Sequence, residues 1–165
     1  MTPRQNADVD LSNTPGSVAI LNSLYDASKG KGEGRIKCTL TKHRIAKAAV
    51  LLGIRVLLKR SPDTLLKTIE QWAPLRKPGP VGSQRARAKA GLALECSSTQ
   101  GLLEGVDRVW RLINGEASHR RVLKACMCIG LDAMSRVNQG KVRQLVSKLS
   151  PVKQKYWDPE LGLWL

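Results

Sequence analysis

Acidic and aromatic residues are scarce in this chain. Of its 165 residues, 13 are Asp or Glu against 28 Lys or Arg, and phenylalanine is absent. The resulting net charge of +15 exceeds the magnitude of about 2–8 that keeps a small domain soluble. The composition therefore predicts a negatively charged partner, which would be nucleic acid, an anionic membrane surface or an acidic protein.

Residues that carry catalysis or bind metals are also few. The histidines are His43 and His119, and neither can be assembled with a serine and an aspartate into a triad. On a helix, His119 and Cys126 would lie about 10 Å apart, too far for a Cys–His nucleophile pair. Cys126 and Cys128 would point about 200° apart, which favours small apolar core residues over a zinc site. We expect no enzymatic activity, no metal and no cofactor.

We expect neither a disulfide framework nor an export signal in this chain. Its four cysteines follow no regular spacing, and the first 17 residues contain no apolar segment. We therefore expect reduced thiols and an intracellular location, either cytoplasmic or nuclear, or a virion if the protein is viral.

One apolar stretch, TKHRIAKAAVLLGIRVLLKR (41–60), is nearly long enough to cross a bilayer. Lys47 and Arg55 would then lie inside the membrane, at a cost of about 2.5–3.5 kcal/mol each. This pattern predicts a central core helix with charged ends, capped by Thr39 or Thr41.

Apolar residues recur at helical spacing along most of the chain, and no alternating run is long enough to predict a strand. The predicted fold class is all-α, a compact bundle of about six or seven helices. The predicted segments are a flexible lead (1–13), a helical domain (14–150), which the proline-rich stretch 73–82 could subdivide, and a C-terminal aromatic arm (151–165). Helices are expected over 15–28, 41–60, 62–72, 83–95, 99–113, 118–137 and 140–149.

Basic residues are concentrated in the first half of the chain. Between Lys29 and Arg60 there are ten Lys or Arg and one acid, Glu33. The glycine-rich stretch KGKGEGRIK (29–37) does not contain the Lys-Ser/Thr pair that follows the second glycine of a phosphate-binding P-loop. We therefore expect either a basic arm or a solvated loop. The residues expected to contact nucleic acid are Lys29, Lys31, Arg35, Lys37, Lys42, Arg44, Lys47, Arg55, Lys59, Arg60, Arg85, Arg87, Lys89, Arg120, Arg121 and Lys124.

The C-terminal arm, KYWDPELGLWL (155–165), contains three of the six aromatic residues. If exposed, it would form an adhesive apolar patch, so it either packs on its own core or docks on a second copy of the chain. The residues expected to mediate self-association are Tyr156, Trp157, Leu161, Leu163, Trp164 and Leu165.

The stretch GLDAMSRVNQG (130–140) resembles the recognition helix of lactose-repressor-type helix-turn-helix regulators in its Ser-Arg-Val. Here Ser135 follows Gly130 by five positions, where that motif has about seven, so no residue role is carried over.

Together these features predict a non-enzymatic protein that binds nucleic acid, RNA in preference to DNA, through phosphate contacts. It would self-associate in the manner of a viral nucleocapsid or core packaging protein. The alternatives are a matrix-type protein on anionic membranes, an adaptor or inhibitor of an acidic protein, and a helix-turn-helix DNA-binding regulator.

Overall fold

The computed structural model describes residues 6–11, 14–28, 41–74, 91–96, 101–149, 157–158 and 163–164. In these ranges the helices are α1 (Pro15–Ser28), α2 (Lys42–Leu58), α3 (Pro62–Trp72), α4 (Leu102–Leu112), α5 (His119–Ser135) and α6 (Gln139–Leu149). The strands are β1 (Asn6–Asp10), β2 (Gly91–Glu95), β3 (Trp157–Asp158) and β4 (Leu163–Trp164). The fold is all-α, as predicted, with two short antiparallel strand pairs added to the helices.

The helix boundaries follow from local capping chemistry. Thr41 and Ser118 precede α2 and α5, and each side-chain oxygen accepts a hydrogen bond from the backbone N–H three residues on, at 3.2 Å. Asn114 and Gly115 end α4 with φ angles of 54° and 70°. Gly115 N–H donates to the Trp110 carbonyl at 3.0 Å, a bond that satisfies the helix end.

α2 is the central helix of the fold, which confirms the core helix predicted from residues 41–60. It packs against α1, α4, α5, α6 and β2. Its buried residues lie on most of its circumference: Ile45, Ala46, Ala48, Ala49, Val50, Gly53, Ile54 and Leu57. The helix therefore takes its stability from contacts with several elements.

Two glycines allow α2 and α5 to approach at backbone distance. A Cβ on Gly53 would overlap the Cys126 carbonyl, and a Cβ on Gly130 would overlap the Ala49 carbonyl. As residue numbers rise along α2, the facing residues on α5 fall, so the two helices run antiparallel. This pair forms the most extensive contact between elements among the described residues.

α5 is buried on nearly all sides in its second half. Its buried residues include Val122, Leu123, Cys126 and Ile129. The helix expected over 118–137 ends earlier, at Ser135, and Val137 follows its end and is 37% exposed.

The predicted helix over 83–95 is wrong for residues 91–95, which form β2 (residues 83–90 lie outside the described ranges). β2 pairs with β1, with Val9 opposite Leu92 and Ala7 opposite Leu94. The lead expected to be flexible thus supplies a strand, and Val9 and Leu11 are buried. β1 and β2 are more than 80 positions apart in the chain, and their pairing holds Leu94 in the core. The residues around Gly91 could not predict this strand, because its partner is distant in sequence.

The C-terminal arm contains the second strand pair. β3 and β4 are antiparallel, with Trp157 opposite Trp164 and Asp158 opposite Leu163. Elsewhere, no helix in the described ranges has the length and apolar character needed to span a membrane.

Candidate nucleic-acid interface

Exposed cations collect where α2 ends and α5 begins. The contacts of Gly53 with Cys126 and of Gly130 with Ala49 set the antiparallel register, so these two helix ends lie at the same end of the pair. We define the basic end as Arg55, Lys59, Arg60 and Arg120, all of which are exposed.

None of the cations of the basic end forms an ion pair with another described residue. Asp63, in the first turn of α3, follows Arg60 closely in sequence but makes no such pair. On α4 and α5, Asp107 contacts Arg111 at 3.0 Å and Asp132 contacts Arg136 at 3.1 Å. The cations of the basic end are therefore not held in ion pairs by described carboxylates.

Arg121 differs from its neighbour Arg120. Its Nε donates a 2.9 Å hydrogen bond to the carbonyl of Ala73, which follows the last residue of α3. This bond satisfies a carbonyl at a helix end and ties α3 to the start of α5. Because Ala73 is buried and Arg121 is partly buried, this arginine supports the fold.

The cations at the start of α2 are also engaged. The Lys42 ammonium lies 5.3 Å from the centre of the Tyr25 ring, within range of a cation–π interaction. Arg44, Lys47 and, on α5, Lys124 are partly buried and have interactions of their own. These residues are less available to a ligand than the basic end.

The remaining predicted contacts fall where the structure gives no side-chain description. The nucleic-acid candidates outside the described residues are Lys29, Lys31, Arg35, Lys37, Arg85, Arg87 and Lys89. The self-association candidates without described side chains are Tyr156, Trp157, Leu161, Leu163, Trp164 and Leu165.

An aromatic stack beside the basic end was not expected from the sequence. The rings of Trp110 and His119 lie 4.4 Å apart between centroids, with an interplanar angle of 19°. His119 Nε2 also lies 3.4 Å from Asp107 Oδ1. The sequence analysis considered His119 only as a catalytic residue. No local pattern shows that the Asn114–Gly115 turn brings its ring onto that of Trp110.

The cysteines of α5 are buried apolar residues, as predicted. Burial raises the pKa of the Cys126 thiol from 9.0 to about 12, and burial likewise raises the pKa of Cys128. Both thiols are therefore protonated at neutral pH and poor nucleophiles. Among the residues that the structure describes, no group of His, Cys, Asp and Glu is arranged to hold a metal ion.

The helix-turn-helix resemblance does not extend to the structure. Ser135 is the last residue of α5, and Arg136 and Val137 lie in the turn that follows. Gly130, Leu131 and Met134 are buried. The Ser-Arg-Val therefore lies outside any second, groove-reading helix.

Comparisons with known protein families, with curated proteins and with solved structures found no match for this chain.

Proposed function

We propose that this protein is a non-enzymatic nucleic-acid-binding protein that neutralises phosphates and self-associates, as a viral nucleocapsid or core packaging protein does. RNA is the favoured partner. The observation that supports this proposal best is the basic end: four exposed cations at one end of the α2–α5 pair, without an ion-pair partner among the described residues.

The basic end suits phosphate binding better than a structural role. Its cations are exposed and have no ion-pair partner in the described chain, so a ligand phosphate would not have to displace a carboxylate. Each phosphate neutralised on nucleic acid releases a condensed counterion, which makes the affinity fall as salt rises. The excess charge of +15 would strengthen binding further from a distance.

The test compares two triple variants with the same loss of charge. R55Q/K59Q/R60Q removes three cations of the basic end, whereas K67Q/K141Q/K148Q removes three exposed lysines of α3 and α6. Binding of labelled single-stranded RNA is measured by fluorescence anisotropy over a range of salt concentrations. We expect the first variant to lower the slope of log affinity against log salt by about 0.7 for each lost contact.

The control variant should retain most of the wild-type slope, because net charge alone would reduce both variants equally. Equal losses in the two variants would contradict the assignment of the basic end. DNA of the same length, included in parallel, tests the preference for RNA. Strong flotation with acidic vesicles but no retention of nucleic acid would favour the matrix-type alternative and overturn the proposal.

A further inference from the structure

The Trp110–His119 stack leaves one ring face open. Trp110 is partly buried against the core, and its indole covers one side of the His119 imidazole. The His119 side chain is nevertheless 52% exposed, and with Trp110 stacked on one face we infer that the opposite face is open to solvent.

The stack is held in place from several directions. A Cβ on Gly115 would lie 3.0 Å from Trp110 Cζ2, so the backbone of the Asn114–Gly115 turn lies directly against the indole. Asp107 contacts the imidazole through Nε2 and also pairs with Arg111. The imidazole is thus oriented before any ligand arrives, which reduces the entropy lost on binding.

Cations belong to the same end of the molecule as the stack. Arg120 is the next residue of the chain, and Lys59 and Arg60 belong to the same end of the α2–α5 pair. Arg111, on α4, is 75% exposed and offsets the charge of Asp107. An exposed aromatic ring combined with nearby basic side chains can bind an unpaired base together with its phosphates.

We propose that the open face of His119 is a stacking site for one unpaired base of a single-stranded nucleic acid. This inference rests on the proposed function and specifies that the ligand is single-stranded. In a duplex, the faces of the paired bases are covered by their neighbours. Stacking accepts any base, so the site would contribute affinity without sequence preference.

The experiment uses the full-length chain, its variants H119A and H119F, and three probes of equal charge. The probes are a short oligoadenylate, an abasic ribose-phosphate chain of the same length, and a duplex with the same number of phosphates. Affinities are measured by fluorescence anisotropy at two salt concentrations, and circular dichroism melting verifies the fold of each variant.

We expect the wild type to bind oligoadenylate about ten-fold more tightly than the abasic chain. H119A should abolish this preference with no change in salt slope, because no phosphate contact is lost. H119F retains an aromatic face and should preserve the preference. If H119A kept the full preference for bases, the stacking site would be ruled out while phosphate binding survived.

A second measurement does not depend on any variant. In wild-type protein, the His119 ring protons should shift upfield in NMR spectra on addition of oligoadenylate, and not on addition of the abasic chain. Equal shifts with both probes would overturn the stacking site. Failure of all three probes to bind would overturn the proposed function itself, which is a distinct result.

Discussion

At the scale of single residues, two glycines determine how closely α2 and α5, the two longest described helices, approach each other. Gly53 and Gly130 each face a backbone carbonyl of the opposite helix, on Cys126 and Ala49 respectively. The facing residues are reciprocal, so any side chain at either position would push the helices apart. Close packing of this kind tolerates added volume poorly.

We predict that Gly53→Ala and Gly130→Ala each lower the free energy of unfolding by about 3 kcal/mol or more. Gly105→Ala should have a smaller effect, because its Cβ would meet the end of the Ile54 side chain at 2.7 Å, which can move. Gly16→Ala is the control: nothing lies within 4 Å, and replacing a helical glycine by alanine should be neutral or stabilise by up to about 1 kcal/mol. Urea unfolding followed by circular dichroism measures all four, and a neutral Gly53→Ala would contradict the observed crossing.

At the scale of elements, the helix ends determine how α3 is attached to the rest of the fold. Its inner face buries Leu65 and Ile69, and Thr68 Oγ1 donates to the Thr64 carbonyl at 2.8 Å. The Arg121–Ala73 hydrogen bond joins the end of α3 to the start of α5. The adjacent residues Arg120 and Arg121 consequently have different surroundings: Arg121 is bonded to α3, whereas Arg120 is exposed.

We predict that Arg121→Ala lowers the free energy of unfolding by about 1–3 kcal/mol, because the buried Ala73 carbonyl loses a charged donor. Arg120→Ala should leave stability within about 0.5 kcal/mol, since Arg120 is an exposed surface residue. In the anisotropy assay, Arg120→Ala should reduce RNA affinity. Thermal melts and binding curves for the two single variants provide the comparison, and equal stability losses would refute the distinction.

The sequence predicted the helices well where the segment itself contains capping residues and helical apolar spacing. Thr14 and Ser61, each followed by a proline that begins α1 or α3, and the caps Thr41 and Ser118 place four helix starts within a residue or two. Strand β2 was missed because Ala-rich and basic residues precede it, and its partner β1 lies in the segment read as a flexible lead. Pairing between distant segments has no local signature of this kind.

At the scale of the whole molecule, cations that are dispersed in sequence become grouped by the α2–α5 register. Arg60 and Arg120 are 60 positions apart, yet they belong to the same end of one helix pair. Asp107 on α4 and Asp132 on α5 each pair with an arginine of their own helix. Under the proposed function, the basic end is the side that a polyanion would approach.

We predict that deletion of residues 156–165 lowers the molar mass in light scattering and leaves the helical circular dichroism signal unchanged. The physical reason is that Trp157, Leu163 and Trp164 belong to an aromatic, apolar segment suited to docking on a second copy. Full-length protein at the same concentration and ionic strength is the reference. A collapse of helicity in the truncated chain would show that the segment belongs to its own core.

The amino-acid sequence by itself determined the helical class, most helix boundaries and the excess of positive charge, because propensity, capping and net charge are local or additive properties. The tertiary structure alone decided which cations stand together, which arginine serves the fold, and that Trp110 and His119 form a stack. Those features depend on the register between α2 and α5 and on the turn after α4. The register arises from packing between segments that are distant in the chain, and the stack depends on the conformation of one turn. Neither can be predicted from composition.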